Sequence, residues 1–121
     1  MNTIVIYCIH INKNKYVGRT TNYEKRKLEH MNHYYSKQKV HKEMDKSTDY
    51  KFEKLGEYNN VNITGWGKIG PRMEYLWCMR ISPELNNHIA GICYYRRDSN
   101  RHRNVMKSYE LFEKLYRICC A

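Results

Sequence analysis

The chain predicts a small α/β (α+β) domain: a three-stranded sheet opened by an N-terminal β-hairpin and flanked by helices. Three observations predict it. TIVIYCIH, a run rich in β-branched and aromatic residues, is followed by a turn signal and a second short apolar segment. Thr21 and Glu24 have capping-box spacing at the head of a helical pattern. Later segments then alternate so that the whole reads β-β-α-(α)-β-α-α within 121 residues. That length suits one domain, residues 1–121, with a single modest core.

Taken in order, residues 3–10 read as a strand, Asn12-Lys13-Asn14 as a turn, and KYVGR (15–19) as the returning strand. The helix after the capping box starts near Asn22 and runs to about His33, with a second helical piece at roughly 37–45. YKFEKLGEY (50–58) is the third strand. Residues 59–70, with Gly65, Gly67 and Gly70, read as a loop. Pro71 opens a helix in PRMEYLWCMRI, where Met73, Leu76, Trp77 and Arg80 have helical spacing. Residues 100–107 read as a basic irregular segment. Ser108 then caps a final helix whose apolar face is Leu111, Leu115 and Ile118, covering the core or, alternatively, forming a dimer seam.

Register decides whether Tyr7 and Tyr16 cooperate. A two-residue turn at Asn12-Lys13 pairs residue 9 with residue 16 and puts Tyr7 on the face of Tyr16. A turn at Lys13-Asn14 keeps them together, whereas a three-residue loop separates them unless a bulge restores the phase.

Charge narrows the function. There are 22 Lys+Arg against 12 Asp+Glu, a net charge of +10. Such an excess costs self-repulsion and points to an anionic partner: nucleic acid, an acidic surface or an acidic protein. The mean hydropathy of −0.88 and the lack of a long apolar run exclude a membrane span. The first ten residues lack the basic region of a secretory signal. Five cysteines, Cys8, Cys78, Cys93, Cys119 and Cys120, form no C-x-x-C pair, so a reducing, intracellular setting is expected.

The chemistry-bearing residues gather around the hairpin exit. Gly18 permits an unusual backbone or a close approach. Arg19 follows it, and Arg26 and His30, four apart, share a helix face. With VIY at 5–7 and YVG at 16–18, this hairpin and helix resemble the GIY-YIG nuclease domain. Glu74 in PRMEYLW falls where that family places its metal-binding glutamate, and SPELN (82–86) supplies Asn86 in its P-x-L-N element. The resemblance covers about residues 4–87, leaving a basic segment and helix at 88–121. Val5 replaces the family's first glycine. R-x-x-x-H with EYLW is closest to the structure-selective nucleases that cut branched DNA beside a scaffold partner, although the cysteines and histidines of their zinc module are not in this sequence.

The resemblance implies a DNA endonuclease that leaves a 5′-phosphate. Tyr16 acts as base on water with Tyr7 beside it, and Arg19 and Arg26 face the phosphate. His30 positions or relays a proton, Asn86 orders the site, and Glu74 holds one Mg²⁺, with Mn²⁺ a substitute. The expected partner is DNA, duplex or branched, with a second copy or a protein scaffold as further possibilities. Arg96, Arg97, Arg101, Arg103 and Lys107, preceded by Tyr94 and Tyr95, read as phosphate contacts. Trp66 reads as a loop anchor or a base-stacking residue.

Overall fold

The computed structural model describes residues 3–32, 39–46, 49–59, 69–86 and 100–120. It contains β1 (Ile4–Ile11), β2 (Asn14–Thr20), α1 (Tyr23–Met31), α2 (Lys39–Lys46), β3 (Tyr50–Tyr58), α3 (Ile69–Ile81) and α4 (Asn100–Cys120). The strands form one antiparallel sheet in the order β2-β1-β3. The predicted mixed fold is therefore the observed one.

The hairpin closes through the two residues Asn12 and Lys13, and Ile9 pairs with Tyr16. Asn12 adopts a left-handed φ of 57°, a conformation asparagine tolerates better than most residues. Strand alternation then sorts β1 into two faces. Ile6 joins a core with Ile69, Met73, Leu76 and Tyr116 of α3 and α4, while Val5, Tyr7, Ile9 and Ile11 join one with Val40 and Met44 of α2. The central strand is thus buried on both sides, which explains why its sequence is a nearly unbroken apolar run.

β3 serves both layers because its register slips between Ile6 and Tyr7 of β1. Before the slip Tyr50 and Phe52 face the α1/α2 side; after it Tyr58 belongs to the α3/α4 core. A β-bulge has this effect of reversing side-chain phase.

Several boundaries differ from the sequence reading. The side chain of Asn22, not Thr21, caps α1 by accepting from the Lys25 N–H at 3.1 Å. α3 begins at Ile69, so Pro71 occupies its first turn, where a missing N–H costs nothing. It ends at Ser82, left-handed at φ 55° and bonded back to the Cys78 carbonyl at 2.8 Å, with Pro83 behind it.

The largest correction concerns the C-terminus. Residues 100–107 are helical, so Ser108 lies inside α4 rather than capping it. Leu111, Leu115 and Ile118 are exposed, and the face packed inward is Val105, Met106, Tyr109, Phe112 and Tyr116. Those residues also recur with helical period, but they start within the basic run. Residues 60–68, which include Gly65, Trp66 and Gly67, lie outside the described residues. No described helix is long and apolar enough to cross a membrane.

Candidate active site

β2 is an edge strand, and its alternation divides the candidate residues between the two faces of the sheet. Tyr16 and Gly18 lie on the side of Tyr7, toward α1; Val17 and Arg19 lie on the side of α3. The site is therefore built around an edge, with groups reaching it from both layers.

On the α1 side the Tyr7 and Tyr16 rings lie 6.3 Å apart. A side-chain methyl on Gly18 would fall on the Tyr7 phenol and against the Tyr16 ring. Gly18 thus provides the close approach, and its backbone is not left-handed. The Tyr7 hydroxyl sits 2.7 Å from Nε2 of His30 and accepts from the Arg26 Nε–H at 3.3 Å. His30 is fully buried, and its Nδ1 lies 2.8 Å from Nε2 of His41 on α2. Helix spacing explains the pairing of Arg26 with His30: one face of α1 carries both onto the phenols.

Burial, reinforced by the neighbouring Tyr16, pushes the Tyr7 phenol well above its ordinary value, only partly offset by Arg26. Burial also raises Tyr16, only partly offset by the nearby charge of Arg26, while the charge of Glu74 adds to the rise. Both phenols are therefore held protonated in the folded chain. For Arg26, burial opposes the charge, yet Tyr7, Tyr16 and Glu29 outweigh it and hold the guanidinium protonated.

From the other layer come Arg19 and Glu74. The Arg19 side chain lies along Gly70, and Glu74 stands one helical turn beyond Gly70 on the same face of α3. Burial raises the Glu74 carboxyl above its usual range, and the charge of Arg19 works against that rise. Glu74 and Tyr16 also act on each other electrostatically. Among the described residues Glu74 makes no hydrogen bond or ion pair. A cleft of about 570 Å³ opens beside Arg19 and Arg26, lined also by Ile4, Thr20, Thr21, Gly70 and Pro71; Tyr16 and Glu74 are not among its lining residues.

Among the described residues no three His, Cys, Asp or Glu side chains converge to cage an ion. Glu74 is a single hard oxygen ligand, half-buried and, among the described residues, without a counter-ion in contact. That donor set fits Mg²⁺, which keeps most of its waters and commonly takes one or two carboxylates.

Asn86 has a different position from that of a reacting group. Its Oδ1 accepts from the Val17 N–H at 2.9 Å and its Nδ2 donates to the Val17 carbonyl at 2.8 Å. The Leu85 N–H donates to the Lys15 carbonyl at 3.0 Å, and Glu84 accepts from the Lys15 N–H at 3.1 Å. Residues 84–86 therefore cover the free edge of β2. Asn86 orders the strand that carries Tyr16.

The basic residues Arg101, Arg103 and Lys107 are exposed on α4, which packs on α3, and Arg103 donates to Asn100. Arg96 and Arg97, with Tyr94 and Tyr95, lie outside the described residues. The site residue that sequence reasoning missed is His41. Its signal was a titratable side chain between Val40 and Met44 on the apolar stripe of α2. No protein-family model, curated protein or solved structure matches the chain.

Proposed function

We propose that this domain is a divalent-metal-dependent endodeoxyribonuclease of the GIY-YIG kind, hydrolysing phosphodiester bonds in duplex or branched DNA inside the cell. The observation that carries this reading is the meeting of Tyr7, Tyr16, Arg26 and His30 with Arg19 and Glu74 around one edge strand. Each layer alone is an ordinary packed surface. Together they supply what hydrolysis needs: a route for the water proton, cations for the phosphate and a ligand for a metal.

Arg26 and Arg19, both lining the cleft, face the phosphate, where guanidinium geometry suits two oxygens. Tyr16 receives a proton from the attacking water. Because burial disfavours a standing phenolate, Tyr16 hands its own proton to Tyr7 as it does so, and Tyr7 hands its proton to His30 Nε2. The charge then rests on the His30 imidazole rather than on a phenolate. Glu74 would hold Mg²⁺ or Mn²⁺, which when bound would supply Lewis-acid stabilisation of the phosphate charge.

The net charge of +10 and the basic residues of α4 add salt-dependent attraction for DNA. Buried free thiols at Cys8 and Cys78 suit a reducing compartment. One such site cuts one strand per encounter, so double-strand scission requires a second copy, a protein partner or successive nicks. Incubating the protein with plasmid and branched duplex, in Mg²⁺ or EDTA, tests the reading. Metal-dependent nicking is expected, reduced at least ~100-fold by Tyr16→Phe and by Glu74→Ala. Binding without nicking, or undiminished nicking by Glu74→Ala, would overturn the assignment and leave a non-catalytic nucleic-acid-binding module with this fold.

A further inference from the structure

His30 is held at both ring nitrogens, by Tyr7 at 2.7 Å and by His41 at 2.8 Å. The two imidazoles meet edge-on with centroids 5.0 Å apart, and both are buried. His41 is carried there by the apolar stripe of α2, whose Val40 and Met44 are anchored in the core with Val5, Ile9 and Leu85.

One direction of the row satisfies each group in turn. The Arg26 Nε–H can only donate, and it donates to the Tyr7 oxygen. The single Tyr7 hydroxyl proton is left for its short contact to His30 Nε2. In that direction Nε2 is an acceptor, the His30 proton sits on Nδ1, and His41 Nε2, 2.8 Å away, takes its hydrogen bond. Each group satisfies the next in one sense, Arg26 to Tyr7 to His30 to His41. His30 also lies in the last turn of α1, where the helix dipole favours a cation.

We propose that His41 is a positioning residue: by accepting from His30 Nδ1–H it fixes Nε2 as the basic nitrogen facing Tyr7. It also spreads the charge of the imidazolium formed when the relay delivers its proton. The inference rests on the nuclease reading for its consequence, though not for its geometry. During turnover the water oxygen bonds to phosphorus while its proton passes to Tyr16, the Tyr16 proton to Tyr7, and the Tyr7 proton to His30 Nε2. The bond from phosphorus to the leaving sugar oxygen breaks, and that oxygen takes a proton from solvent. His30 then returns its proton along the same row to solvent, replacing the one the leaving oxygen took.

Two measurements test this on the full chain. Long-range proton–nitrogen NMR correlations of the histidine rings are expected to show His30 as the Nδ1–H tautomer in the wild type and in His41→Gln, whose side-chain oxygen also accepts. In His41→Leu that preference is lost. Nicking kcat is expected to fall about 10- to 100-fold in His41→Leu, with KM unchanged, and to be largely restored in His41→Gln. A wild-type His30 protonated on Nε2 overturns the proposal, whether or not the leucine variant folds. So does equal nicking by the leucine and glutamine variants. The expected tautomer pattern in a protein that cuts no DNA supports the positioning of His30 and overturns only the nuclease reading.

Discussion

Gly18 stands directly across the hairpin from Tyr7, and the phenol lies over it. A methyl group there would meet the hydroxyl end of a ring already fixed by His30 and Arg26, so the ring cannot swing away cheaply. In the YVG stretch the glycine is thus a steric requirement of the two phenols. Gly18→Ala is expected to cost about 1–3 kcal/mol, the usual range for overpacking a core. The measurement is a shift of the urea midpoint at unchanged slope. Equal midpoints for variant and wild type would show that Tyr7 is not pressed against the strand.

At the scale of the element, α1 matters because it carries both Arg26 and His30 into the site. Its first turn is held by the Asn22 side chain, while the Thr20 hydroxyl accepts from the Asn22 N–H at 3.0 Å. Asn22→Ala is expected to cost about 1 kcal/mol, the ordinary loss of a cap. Thr21→Ala, at an exposed residue, should stay within about 0.5 kcal/mol of wild type. Thermal melts of the two variants discriminate: a larger loss for Thr21→Ala would restore the capping box as the start signal.

The same element shows what the sequence made legible. The shared face of Tyr7 and Tyr16 followed from either two-residue turn and strict alternation, and the pairing of Arg26 with His30 from helix spacing, because these depend on neighbours in the chain. The bulge opposite Tyr7 did not, since a slip in β3 is set by which layer each side chain must fill. α4 carries two apolar stripes of helical period, and its bulkier aromatic one, Tyr109, Phe112 and Tyr116, is the buried one. Local spacing cannot choose between such stripes; the surface of α3 does, through Tyr75 against Tyr109 and Arg72 over Phe112. His41 was hidden for a similar reason. Its partner His30 lies on a different helix, and only tertiary packing brings them together.

The whole molecule is stapled by buried phenols on both faces of its sheet. Tyr7 serves the α1/α2 layer. In the α3/α4 layer Tyr58 donates to Glu113 at 2.6 Å and accepts from the Trp77 indole N–H at 3.0 Å. Burial raises both phenols well above their ordinary value, with the Glu113 carboxylate adding to the rise at Tyr58. Burial likewise pushes the thiols of Cys8 and Cys78 up to about 11 and about 12. The native state therefore holds these protons more tightly than the unfolded chain. In the window between unfolded and folded values the native chain binds more protons, so stability falls as pH rises. The contribution is complete below about pH 8.5, begins to fade as unfolded thiols ionise, and fades faster above about pH 10, where unfolded phenols do. Tm followed by circular dichroism should accordingly drop steeply above pH 10. Tyrosinate absorbance should rise in two phases: accessible phenols first, and Tyr7 and Tyr58 only with unfolding. Tyr58→Phe removes one of the linked protons, so its Tm should be lower at neutral pH but decline less steeply across the alkaline range. Ionisation of all 12 tyrosines in one step near pH 10 with an intact circular dichroism spectrum would contradict this account. The phenols that close the core would then be open to solvent, and a neutral Tyr16–Tyr7 relay would lose its physical basis.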